Sequence, residues 1–268
     1  MMSVIYTFKP NVKSTSDNVI DLSNIMKSLK KDSEVEIKYN RDGSIDKRRC
    51  NKVAGVSSEV YPFYEDEIKN LITLFDKRID EAKDANKRQI ASRNKMLFIV
   101  GINLSLRASD LCGLTYKFFF KEDGTFKDFY SLQPKKTKKT GKYVKLFFNE
   151  SVKKAITDYI EQYPMEDMNE YLFKSREGNG HITTIHLGRI IKTAAAEVGI
   201  DKNICSHSLR KTFGYHVWHN AEDKEKSLII LQTIFNHSSP MMTKKYIGLM
   251  DDEIEDVFNN LNLGIDYI

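Results

Sequence analysis

Apolar residues recur at intervals of three and four through most of the chain. Val19, Leu22, Ile25, Met26 and Leu29 form one such stripe in residues 18–31; Ile68, Leu71, Ile72, Phe75 and Ile79 form another in 65–84. Both spacings predict amphipathic helices. The same reading predicts a helix over about 88–104, with Met96, Leu97, Val100 and Leu104 inward, and a short one over Ala108–Leu114. Further helices follow Asn149, a good N-cap residue, and Thr183 or Thr184, the latter helix ending at Gly199. The remainder fall at about 208–219, 224–235, 241–247 and 251–261. Between 116 and 148 the period changes. Aromatic residues cluster there, punctuated by Asp123-Gly124 and Thr140-Gly141, and predict an antiparallel sheet of about three strands. The expected fold class is mainly α with a small antiparallel β-sheet (α+β).

Residues 1–60 read as a separate short N-terminal region: a polar start, the helix of 18–31, a hairpin around Arg41–Ser44 and a small polar linker over 54–59. Residues 61–268 form the main domain. No apolar run approaches a membrane span and no long apolar leader opens the chain, so a cytoplasmic protein without membrane contact is expected. Cys50, Cys112 and Cys205 lie far apart and form no CxxC pair, which argues against a zinc ribbon or a disulfide frame.

The net charge of +5 is mild, but its distribution is uneven. Lys135, Lys136, Lys138, Lys139 and Lys142 crowd one predicted hairpin with no acidic residue among them. Such a run is either a solvated loop or a surface for a polyanion. Lys47, Arg48, Arg49 and Lys52 pose the same choice in the N-terminal region.

Four places carry polar residues that core packing does not require. Arg107 stands at the junction of two apolar helices, where capping a helix end would also account for it. Lys136 lies in the basic hairpin. His207 and Arg210 are three apart at the start of a helix whose apolar stripe is Leu209, Phe213 and Val217. His237 precedes Tyr246 by nine residues. Together they make a cationic cradle around one weak nucleophile. No acidic cluster accompanies it, so neither a metal nor another cofactor is expected. Arginine forks match phosphate oxygens. Fixed donors stabilise a phosphorane as it gains negative charge. Nearby cations are expected to lower the phenol's pKa from its usual value of about 10.

This set resembles the tyrosine recombinase (phage integrase) family. The family's G-L-R-x-S-E-L pattern is matched by Ser105-Leu106-Arg107-Ala108-Ser109-Asp110-Leu111, and its H-x-L-R-H/K-T-F pattern by residues His207–Phe213. Its L-G-H-S-S pattern is matched by Phe235–Ser239, with Tyr246 at the expected distance. The family's hairpin lysine falls on Lys136 when Val144 and Leu146 are placed on the following strand. The matches run in family order from about Tyr61 to about Gly248. Asn236 stands where the family has glycine, and Lys145 where it has proline.

The resemblance implies a phage-integrase-type catalytic domain acting on double-stranded DNA as a site-specific recombinase. Tyr246 would attack a phosphate and form a 3′-phosphotyrosine without metal or ATP. Arg107, Arg210 and His237 would hold the non-bridging oxygens. Lys136 would protonate the leaving oxygen, His207 would assist proton transfer or orient the phosphate, and Asp110, one helical turn after Arg107, would either steady that arginine or serve as a plain helix-start carboxylate. The lysines beside Lys136 would contact the DNA backbone. A homotetramer on DNA is implied, with an accessory DNA-bending protein, nucleoid association when bound, and a tail bearing Leu249, Ile254, Val257, Phe258 and Leu261 that docks on a neighbouring protomer or on its own domain. Type IB topoisomerases use a similar kit. A DNA-binding regulator that has lost catalysis is the non-enzymatic alternative; its mark would be a missing kit member, and none is missing.

Overall fold

The computed structural model describes residues 59–133, 143–176, 178–249 and 257–261. The helix of 18–31, the hairpin at 41–44, the N-terminal basic residues, and Lys135, Lys136, Lys138, Lys139, Lys142 and Ile254 lie outside the described residues. Those described belong to one compact unit, Glu59–Ile268.

Among the described residues, eight α-helices of five residues or more follow one another, interrupted once by a small sheet. They are α1 (Glu65–Asp80), α2 (Ala85–Asn103), α3 (Ala108–Cys112), α4 (Glu150–Gln162), α5 (Thr184–Glu197), α6 (Ser206–His219), α7 (Lys224–Phe235) and α8 (Pro240–Tyr246). Strands β1 (Phe129–Leu132) and β2 (Val144–Phe147) lie between α3 and α4. They pair antiparallel, with Phe129 opposite Phe147 and Leu132 opposite Val144.

Side-chain caps set most of the helix starts. Asp84, Asn149, Thr183, Asp223 and Ser239 each accept a backbone N–H from the first turn of α2, α4, α5, α7 and α8. Pro240 then occupies the first turn of α8, where its missing N–H costs no helical hydrogen bond. At the other end of α5, Gly199 takes φ +78°, as expected of a C′ glycine.

Three expectations need correction. The sheet has two strands among the described residues, where about three were expected; Phe120 meets Phe126 only at an isolated bridge. The physical reason is local. Tyr116–Phe118 winds into a 3₁₀ turn, and Tyr116, Phe119 and Phe120 all bury their rings instead of alternating. The short third helix stops at Cys112, two residues early. The helix expected at about 208–219 starts at Ser206 and so includes His207.

Two separate apolar clusters hold these elements. The larger gathers α1 to α6 and the sheet around Phe63, Phe75, Leu97, Phe98, Ile156 and Leu209. The smaller consists of Leu231, Phe235, Ile247 and Leu249, backed by Phe213, Val217 and Tyr246. Helix α6 therefore faces both ways: Leu209 enters the large core while Phe213 and Val217 meet the small one. Gly214 marks the closest approach. A β-carbon there would lie 2.6 Å from Ile247 and 2.8 Å from the Phe235 ring.

Candidate active site

Arg210 is buried on the first turns of α6, and its guanidinium is spread between two corners of the fold. Nη1 donates to the carbonyl of Ser105, and Nη2 donates to the carbonyl of Phe235 at 3.1 Å. The plane also lies 4.5 Å from the centre of the Phe235 ring. Each tethered corner contains a left-handed, non-glycine residue: Ser105 at φ 54° and, next after Phe235, Asn236 at φ 55°. Both stand at positions where the matching sequence patterns have glycine. Asparagine tolerates this conformation better than most residues. The strained corner at Ser105 was not anticipated, although serine in a glycine position was the available signal.

The Ser105 corner leads directly to Arg107, which is half-buried at the cap of α3, and to buried Asp110. The charge of Asp110 is felt at Arg210. Strand β2 closes this side: Val144 and Leu146 line a small crevice with Arg107, Asp110, Arg210 and Asn236. The lysine run precedes β2 in the sequence and lies outside the described residues.

On the other side, α8 presents Tyr246. Its ring meets that of His237 edge-on with centroids 5.2 Å apart, and meets Phe235 in the same manner at 5.3 Å. The charge of the Arg210 guanidinium is felt at the phenol, and the two groups pack on the same Phe235 ring. Lys211 stands 5.8 Å from the Tyr246 ring and is buried in an ion pair with Glu59 at 3.1 Å. His237 sits just past the Asn236 corner, with Nδ1 against the Thr243 hydroxyl at 3.0 Å.

The electrostatics show that these groups share one field. Burial pulls the Arg210 guanidinium down to about 10, which leaves it charged at neutral pH; Tyr246 pulls it back up and Arg107 pushes it lower still. His207 is lowered first by loss of solvent and then by Arg210, Arg107 and Lys211. His237 is lowered by burial, then by Arg210 and Arg107. Both imidazoles are therefore neutral at neutral pH. The phenol of Tyr246 departs from expectation. Arg210 and Arg107 lower it, as anticipated, but burial is the larger influence and its pKa is raised.

Of the six residues expected to carry chemistry, Arg107, His207, Arg210, His237 and Tyr246 thus come together from three of the four places, while Lys136 lies outside the described residues. The other histidines are engaged elsewhere. His216 donates from Nε2 to the Phe63 carbonyl at 2.9 Å, and His181 packs edge-on against Tyr171. Trp218 packs partly buried against the smaller core. Among the described residues no three His, Cys, Asp or Glu side chains cluster so as to hold a metal ion, and no helix is long and apolar enough to cross a membrane.

Residues 63–253 match the model of the phage integrase family. The chain is similar to a protein described as probable integrase/recombinase YoeC of Bacillus subtilis (strain 168). The two are 41% identical over 169 residues, which is 62% of this chain and 84% of that protein. Tyrosine recombinase XerC of Halalkalibacterium halodurans is 22% identical over 187 residues, covering 69% of this chain and 60% of the relative. Among solved structures, XerA recombinase superposes with a TM-score of 0.54 at 22% identity, over 77% of this chain and 65% of that one. XerH site-specific recombinase bound to a palindromic difH substrate gives 0.54 at 17%, over 83% and 59%. At these identities the structural likeness speaks for a shared fold.

Proposed function

The chain belongs to the phage integrase family, and from that premise we propose that it is a tyrosine-type site-specific DNA recombinase with Tyr246 as its nucleophile. The observation that carries this reading is the convergence of Arg210, His237 and Tyr246 on the Phe235 ring, with the charges of Arg210 and Arg107 both felt at the phenol.

A duplex DNA phosphate entering the cradle replaces solvent around the two guanidinium groups and brings its negative charge to them. Arg107, Arg210 and His237 hold the non-bridging oxygens. The phenol oxygen attacks phosphorus, the bond to the 5′-oxygen breaks, and a 3′-phosphotyrosine forms. Charge grows on the equatorial oxygens in the transition state, where fixed donors act most strongly. The phenol is protonated in the free protein, so its proton must leave as attack proceeds. His207 is neutral and able to accept it. Lys136 supplies the proton taken up by the departing 5′-oxygen. One ester replaces another, so the step needs no nucleotide hydrolysis. The 5′-hydroxyl of a second duplex then reverses the attack and completes the exchange.

Strand exchange between two sites calls for four protomers on DNA. The exposed side chains of Val257, Phe258 and Leu261 suit a tail that docks on a neighbouring protomer, and an accessory protein would bend the DNA. Lys135, Lys138, Lys139 and Lys142 add backbone contacts beside Lys136, and Asp110 steadies the arginines. Such a protein works in the cytoplasm, on the nucleoid.

The test is covalent trapping. A pool of nicked duplexes with randomised arms is incubated with the full chain and resolved under denaturing conditions. The wild type is expected to form a protein–DNA adduct enriched in one sequence, and Tyr246→Phe to form none. Relaxation of any supercoiled plasmid, with no enriched sequence, would instead mark a type IB topoisomerase. Absence of adduct despite tight DNA binding would mark a regulator.

A further inference from the structure

Thr243 is a buried polar residue that the mechanism above leaves unused. Its side chain is fully enclosed on α8, one turn before Tyr246. Its hydroxyl lies 3.0 Å from Nδ1 of His237. That ring nitrogen is the hydroxyl's sole side-chain hydrogen-bond partner among the described contacts. The direction of the bond follows from supply. A buried hydroxyl proton that finds no acceptor is costly. If Nδ1 carried a proton and donated it, the threonine's own proton would be left without a partner. If Thr243 donates into the Nδ1 lone pair, every proton is used.

The second step concerns the other ring nitrogen. A neutral imidazole carries one proton, and a partner that occupies Nδ1 as acceptor leaves that proton on Nε2. Nε2 is the atom available to a bound phosphate oxygen, and it can help there only as a donor. We propose that Thr243 is a positioning residue that keeps the His237 proton on Nε2, so that the neutral ring is presented to the phosphate as a hydrogen-bond donor. The inference rests on the reading of His237 as a phosphate ligand. It deepens that reading by tying the histidine's proton to the helix that bears the nucleophile: His237 is correctly protonated only when α8 is seated with Thr243 beneath it.

Long-range nitrogen–proton NMR of the full chain near neutral pH reads the tautomer without DNA, with His237 assigned by comparison with His237→Gln. The wild type and Thr243→Ser are expected to hold the proton on Nε2, and Thr243→Val to show a mixture or the Nδ1 form. In the trapping assay Thr243→Val is expected to slow adduct formation roughly tenfold, with non-covalent affinity for duplex DNA retained, and Thr243→Ser to restore the rate. An Nδ1 proton in the wild type, or a tautomer or trapping rate unmoved by Thr243→Val, would overturn the proposal. Should the wild type trap no DNA at all, the recombinase reading falls, and the tautomer measurement still decides what Thr243 does.

Discussion

At Tyr246 two influences oppose each other. Burial favours the neutral phenol, while the guanidinium groups of Arg210 and Arg107 favour the phenolate, and burial prevails. If Tyr246 is the nucleophile, keeping it neutral until substrate arrives protects it from idle reaction. The histidines show the matching behaviour in the acid range. His186, His207 and His237 are all held below the ordinary histidine value, chiefly by loss of solvent and then by nearby arginines. A depressed folded-state pKa means that the unfolded chain takes up protons first as pH falls, so stability is full above the unfolded value of about 6.5 and declines below it. Thermal melts at about pH 7.5 and about pH 5.5 are expected to differ more for the wild type than for the double variant His207→Gln/His237→Gln. Equal drops in the two proteins would contradict the shared-field account of these rings.

Among the elements, the seam between α6 and the α7–α8 pair matters most. Gly214 allows Ile247 and Phe235 to rest directly on the helix backbone, and a methyl group has no room there. Gly214→Ala is expected to cost about 1–3 kcal/mol and to lower the melting temperature. Because the displaced atoms belong to the cluster that seats Tyr246, adduct formation should fall further than stability alone accounts for, with helical content by circular dichroism retained. Amphipathic periodicity revealed the helices, because α1, α4 and α6 each bury one stripe. It overstated the sheet, because Tyr116, Phe119 and Phe120 are apolar by composition but follow no two-residue alternation. The arginines, histidines and tyrosine gathered around the Phe235 corner were legible in the sequence through the family patterns they match. The Thr243 hydroxyl beneath His237 was not, since a threonine on a short helix looks the same whether it faces solvent or a ring. Nor was the net direction at Tyr246, which depends on how deeply the phenol is enclosed.

For the molecule as a whole, affinity for a polyanion depends on where its modest positive excess is concentrated. If the lysine-rich run before β2 meets DNA phosphates, removing lysines should weaken binding evenly across sequences and flatten its salt dependence by about one unit of slope per lost contact. Titrating a random-sequence duplex at several salt concentrations with Lys138→Ala/Lys139→Ala checks this; an unchanged slope would return those residues to solvent. Tyr246 packs against its own small apolar cluster, apart from the larger core, an arrangement in which the support of the proposed nucleophile can open without the rest.

Arg210 ties the Ser105 corner to the Phe235 corner while its charge also acts on the phenol, and this dual employment constrains how such a protein can decay. A descendant under relaxed selection can shed Tyr246 at little architectural cost and survive as a binder. One that sheds Arg210 loses a strut along with its chemistry. Degenerate copies of this chain should therefore outlive their tyrosine far more often than their arginine.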